Sequence, residues 1–157
     1  MLASVVLVFV LDCVFCKIVE GSIPAQKVFE DSHTLVFLDV NPTNEGHCLV
    51  IPKKHAVWFH ELSKEEAHAL IDSTQKTAKA ILKALNCRSY NLILNASPIA
   101  GGEVQHVHFH VIPRNSKEEF QNWPQHKYSS QDDFESFGEI IRQAFIMNQE
   151  NEALNRQ

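Results

Sequence analysis

The alternation of apolar and polar positions divides the chain into short strands, one long helix, two further strands and a last helix. "KVFED" (27–31) and "TLVFLDV" (34–40) are β-rich and separated by a polar pair, which predicts a hairpin. "HCLVIP" (47–52) reads as a third strand, ended by Pro52. From residue 63 the period changes from strand to helix. Ser63 with Glu66 three positions on makes a capping box, and Ala67, Leu70, Ile71, Thr74, Ala78, Ile81, Leu82 and Leu85 recur on one helical face that must pack on a sheet. "SYNLILN" (89–95) and "VQHVHFHVI" (104–112) are two more strands, joined by the Gly-containing "ASPIAGGE". A helix over about 131–148 puts Phe134, Phe137, Ile141 and Phe145 at three- and four-residue steps, and "KIVEGSIP" predicts a short helix stopped by Gly21 and Pro24. This order predicts an α+β fold: a mainly antiparallel five-stranded sheet with one long and one C-terminal helix.

Length and composition narrow the class. With 157 residues, 45% hydrophobic and 21% charged, the chain is expected to be a single domain over 13–157 behind an apolar extension, 1–12. That extension, "MLASVVLVFVL" before Asp12, lacks the basic start and cleavage site of a signal peptide and falls short of the roughly 20 residues that span a bilayer. It reads as an extra strand or a tail packed on a partner subunit. A net charge of −5 speaks against a nucleic-acid backbone as partner, so an anionic ligand needs a local pocket. Cys13, Cys16, Cys48 and Cys87 are too sparse for a disulfide framework, which predicts a reduced, cytoplasmic protein, and the shortness of the apolar run predicts no membrane partner.

The chemistry is concentrated in "QHVHFHVIPR" (105–114). Side chains alternate along a strand, so His106, His108 and His110 share one face while Val107, Phe109 and Val111 enter the core. A row of imidazoles suits metal ligation, or nucleophilic and proton-transfer work near neutral pH. Gly101 and Gly102 beside the row, and Asn95 at a strand end, add N–H donors for an oxyanion. Alternation from His106 sends Glu103 to the opposite face if the strand extends that far. Cys13-x-x-Cys16 taken alone reads as half a zinc site, a redox pair or two plain thiols.

The run His106-Val-His108-Phe-His110-Val-Ile resembles the signature of the histidine-triad (HIT) nucleotide-binding proteins. The likeness continues through "CVFCKIVEGSIPAQKVFED", "LVFLDVNPTNEGHCLVIPKKH" and "NLILNASPIAGGEVQH", about residues 13–114, and is nearest the small bacterial-type members and the Hint branch. It implies a homodimeric nucleotide hydrolase or nucleotidyl transferase, acting at the α-phosphate of purine nucleoside phosphoramidates or adenylates through a nucleotidyl-histidine. It implies His108 as the nucleophile, His110 and His47 beside the phosphate, and Asn95 on the phosphate or leaving group. It also implies Asp39 on the ribose, and Phe15, Ile23, Phe37 and Leu38 on the nucleoside wall with Gly101 and Gly102 nearby. For Cys13 and Cys16 it implies a structural zinc completed by His55 and His106, with no organic cofactor. One departure stands out: many members have Gly-Gln where this chain has Gly101-Gly102, which bears on leaving-group preference. Two alternatives remain: a dinucleoside polyphosphate hydrolase like the fragile-histidine-triad branch, and a nucleotide-binding regulator with little turnover.

Overall fold

The computed structural model describes residues 12–117 and 123–154, so the apolar stretch 1–11 lies outside the described residues. The chain forms two compact units, Met1–Phe120 and Gln121–Gln157.

In the first unit the elements run α1 (Val14–Glu20), β1 (Lys27–Glu30), β2 (Thr34–Leu38), β3 (Cys48–Pro52), α2 (Lys64–Ala84), β4 (Ser89–Leu94) and β5 (Phe109–Arg114). The strands make one antiparallel sheet in the order β1-β2-β3-β5-β4. Each predicted strand is present, but the last begins at Phe109 rather than at 104. The reason lies in the backbone partners: Val107 N–H donates to the Ala56 carbonyl (2.8 Å) and His106 N–H to that of Val104 (2.9 Å). Residues 104–107 are therefore tied to the loop after β3 instead of to a neighbouring strand. The first helix also starts earlier than its sequence pattern suggests. Cys13 is its N-cap, Phe15 and Cys16 lie in its first turn, and Gly21 closes it at φ 82°, the left-handed conformation glycine tolerates.

The sheet is covered on both faces. Val36, Cys48, Val50, Phe109 and Val111 lie under α2 with Leu70, Ala78 and Ile81, while Leu35, Phe37, Leu49 and Ile51 pack with Phe15, Cys16 and Ile18 of α1. Strand alternation produces this division: odd and even positions of β2 and β3 go to different helices. Ser63 caps α2 as predicted, its hydroxyl accepting from Glu66 N–H while the Glu66 carboxylate accepts from Ser63 N–H. The buried stripe of α2 departs from the expected one. Ile71 and Leu85 are exposed, and Ser73 and Thr77 turn inward instead. Their hydroxyls find partners at close range, Ser73 with Thr34 Oγ1 (2.7 Å) and Thr77 with the Ser73 carbonyl (2.8 Å). Small, locally satisfied side chains let the helix approach β2 without stranding a buried polar group.

In the second unit α3 runs Gln131–Leu154, longer than the predicted 131–148. Tyr128 packs edge-on against Phe134, and Arg142 makes two hydrogen bonds to the Glu139 carboxylate.

Candidate active site

Two clusters of histidines meet at the start of β5, both on the α1 side of the sheet. The first is the triad itself. His108 is buried, and its Nδ1 lies 2.6 Å from the backbone carbonyl of His106. A carbonyl only accepts, so this nitrogen carries the proton and Nε2 of the neutral ring keeps a free lone pair. A second chain of hydrogen bonds sets the tautomer of His110. Thr43 N–H donates to His47 Nδ1 (3.2 Å), which puts the His47 proton on Nε2, and that nitrogen lies 3.0 Å from His110 Nδ1. Neutral His110 then has its own proton on Nε2. The arrangement presents one ring with a lone pair and, 4.8 Å away between centroids, a second ring with a donor.

Register explains why these side chains meet. Leu49 pairs with His110 across β3 and β5, and just beyond the strand ends Asp39 N–H donates to the His47 carbonyl (2.9 Å). Asp39 Oδ1 accepts from Asn41 N–H (2.8 Å), and its Oδ2 lies 3.4 Å from His47 Nδ1. Burial lowers the basicity of the rings: it pushes His110 down to about 4, with His108 and His47 adding to the effect, and lowers His47 and His108 from 6.5. At neutral pH all three are therefore uncharged, the form that a nucleophile and a neutral donor need.

A cavity of about 530 Å³ opens over these rings. Phe15, Ile23, Phe37, Leu38, Asp39, His47, Asn95, Gly101, His108 and His110 all line it, as do Val14, Ile18, Leu49 and Thr43. Phe15 forms the hinge between the two clusters, touching Phe37, His106 and His108 edge-on at 5.2 to 5.9 Å. Gly102 is the one predicted pocket residue absent from the described lining. It is buried, and a Cβ there would collide with the Asn95 carbonyl, so it allows the 95–103 loop to fold tightly on itself. Gly101 closes the preceding turn at φ 85°. Glu103, expected on the opposite face, lines the cavity with His108. The expectation required a strand reaching residue 103, and β5 starts six residues later. Thr43 escaped sequence reasoning because its contribution is a backbone N–H, which no side-chain pattern signals.

The second cluster is Cys13, Cys16, His55 and His106, whose ligand atoms lie within 4.8 Å of one another. His106 Nε2 donates to the Pro52 carbonyl (2.8 Å), which leaves Nδ1 free and facing Cys13 Sγ (3.5 Å) and Cys16 Sγ (3.6 Å). His55 Nδ1 lies 3.3 Å from Cys16 Sγ. In tetrahedral Cys₂His₂ zinc sites the sulfur–nitrogen edge is about 3.5 Å, so the donor set fits such an ion. The carbonyl held by His106 is the outer support that metal-binding histidines use. Burial and the neighbouring Cys13 raise Cys16 to about 12, so without a cation the Cys16 side chain is a thiol.

The family model described as "HIT domain" matches residues 20–117. The chain belongs to this family. Among HIT relatives, an adenosine 5′-monophosphoramidase of Schizosaccharomyces pombe is 41% identical over 133 residues, covering 83% of this chain and 96% of that protein. A HIT family crystal structure from Bacillus subtilis superposes with a TM-score of 0.77 at 37% identity, covering 84% of this chain and 96% of the other. A zinc-bound histidine triad family protein from Mycobacterium smegmatis superposes with a TM-score of 0.66 at 35% identity, covering 74% and 86%.

Proposed function

We propose that this chain is a nucleotide hydrolase that cleaves nucleoside 5′-phosphoramidates or related adenylates at the α-phosphorus through a nucleotidyl-histidine on His108. The observation that carries the reading is the pair of hydrogen bonds that sets the tautomers: His108 Nδ1 on the His106 carbonyl, which leaves its Nε2 with a lone pair, and His110 Nδ1 on His47 Nε2, which leaves the His110 proton on Nε2. His108 Nε2 attacks the phosphorus, the bond from phosphorus to the leaving nitrogen breaks, and the amine departs with a proton taken from the site or solvent. Water then attacks the same phosphorus, its proton passes to the site or solvent to replace the one the amine took, and the bond to His108 breaks, releasing the nucleoside monophosphate. Two displacements replace one difficult one. His110 donates to a non-bridging oxygen, where negative charge grows. Asp39 accepts from the ribose hydroxyls and Phe15, Ile23, Phe37 and Leu38 hold a purine base, while Asn95 donates to the phosphate or leaving group. The kinship with an adenosine 5′-monophosphoramidase supports this reading over the diadenosine polyphosphate and regulator alternatives.

Turnover of adenosine 5′-phosphoramidate exceeds that of diadenosine polyphosphates on this reading, and its pH profile is specific. The folded enzyme holds His47 and His108 below 6.5 and His110 down at about 4, so the acid limb of kcat/KM is expected to lie below pH 6.5. The same sign applies to folding: the stabilising effect of these neutral rings is complete above 6.5 and is lost as pH falls through their folded values. An acid limb centred at or above pH 6.5, or no turnover of the phosphoramidate, defeats the reading.

Zinc in the Cys13, Cys16, His55 and His106 cluster has no open position in a four-ligand site and so serves structure. The protein acts in the cytoplasm as a homodimer, with 13–157 as one domain and 1–12 as an extension. β4 supports the dimer: it is one of the two edge strands of the sheet among the described residues, with Tyr90 and Leu92 exposed, and an unpaired apolar edge favours a partner. Among the described residues no helix is long and apolar enough to cross a membrane. Sedimentation at micromolar concentration is expected to give twice the 17.9 kDa chain mass, and a monomer overturns the dimer.

A further inference from the structure

The lining of the cavity over the histidines has an unusual charge pattern for a site proposed to handle phosphate. None of the described residues lining the cavity is Lys or Arg, yet it contains two carboxylates, Asp39 and Glu103. Asp39 is engaged at Oδ1, which accepts from Asn41 N–H. Glu103 is exposed and makes no hydrogen bond or ion pair among the described residues. It also lines an adjoining cavity of about 360 Å³, which shares Val14, Glu103 and Val104 with the first and likewise has no described Lys or Arg in its lining. Asp12 lines that second cavity as well, but it pairs with Lys17 at 3.1 Å. Among the described residues, the carboxylate without a partner at the junction of the two cavities is therefore that of Glu103.

We infer that Glu103 selects the leaving group, favouring phosphoramidates whose departing amine carries a second, distal positive charge and disfavouring anionic leaving groups. This rests on the hydrolase reading above and narrows its substrate class. A polyphosphate leaving group entering the same space meets a carboxylate and finds no lining cation to offset its charge. A diamine or a basic side-chain amine places its free ammonium where Glu103 attracts it. The attraction acts across a partly solvated gap, so it is moderate in size and sensitive to salt.

The test uses three adenosine 5′-phosphoramidates of nearly equal length, made from 1,3-diaminopropane (distal cation), n-butylamine (neutral) and β-alanine (distal anion). Wild-type kcat/KM is expected to fall in that order, by about five- to tenfold per step at low ionic strength and less at high salt. The reading is the ratio among substrates within one enzyme, so differences in overall activity cancel, and its change between variants removes the intrinsic reactivity of each amine. Glu103→Gln brings the three substrates within about twofold of one another, and Glu103→Lys inverts the order. An order preserved in Glu103→Gln, or no order in the wild type, overturns the role of Glu103 while the hydrolase reading stands. If the wild type turns over none of the three, the hydrolase reading itself falls.

Discussion

His108→Ala is expected to lower turnover of adenosine 5′-phosphoramidate by about 10⁴-fold or more, because in the proposed mechanism it removes the atom that forms the covalent bond rather than one that assists it. Nucleotide affinity should change by less than about tenfold, about 1.4 kcal/mol, since Asp39 and the apolar wall around Phe15 and Phe37 are untouched. Acid-quenched mass spectrometry of wild-type enzyme caught in turnover should find the nucleotidyl group on His108. His106 is unavailable: its Nε2 is held by the Pro52 carbonyl and its Nδ1 faces two sulfurs. His110 is held by His47 at Nδ1, so its remaining nitrogen carries a proton and lacks a lone pair to attack with. His110→Ala therefore slows the reaction while the adduct still forms. An adduct on His106 or His110, or full turnover by His108→Ala, removes the mechanism.

Cys16→Ser is expected to abolish zinc binding and to cost about 3–5 kcal/mol of stability, which at this chain length lowers Tm by about 10 °C. The magnitude follows from what the cluster connects. Cys13 and Cys16 belong to the start of α1, His55 to the loop after β3 and His106 to the approach to β5, so one ion held there would join three segments that few backbone hydrogen bonds tie together. Such an ion would bind only where those segments have already met, and its binding energy would thus be added to the folded state. Chelation of the wild-type protein should produce the same drop without altering any residue, which separates loss of metal from the effect of a buried serine. Elemental analysis should find one zinc per chain before chelation. Protein grown with ample zinc that contains none, together with an unchanged Tm in Cys16→Ser, excludes the structural ion.

Much of the fold was legible because its signals are local and periodic. The capping box at Ser63 and Glu66, the alternation in β2 and β3, and the glycine that stops α1 each act within a few residues, and each appears where its pattern indicated. The helical face of α2 was readable in period but not in centre. Hydropathy ranks Ile71 above Ser73, and only contact with Thr34 of β2 shows why the serine is inside. The triad was legible for the same reason as the strands: alternation holds in extended backbone even ahead of the hydrogen-bonded ladder, so Val107, Phe109 and Val111 enter the core while His108 and His110 remain in reach of each other.

The sequence by itself determined the order of elements, the sheet-and-helix class and the side chains available for chemistry, since these depend on residue type and on spacings of two to four. Tertiary structure alone decided which proton sits on which nitrogen, because those assignments come from the backbone of His106 and Thr43, groups that every residue but proline carries and no pattern marks. It also decided that Cys13 and Cys16 face His55 and His106, whose sequence separations of 39 and more exceed any local rule. The side taken by Glu103 was settled in the same way. Alternation along an imagined strand sent that carboxylate away from the histidines, and the loop that replaces the strand, folded tightly at Gly102, returns it to the cavity.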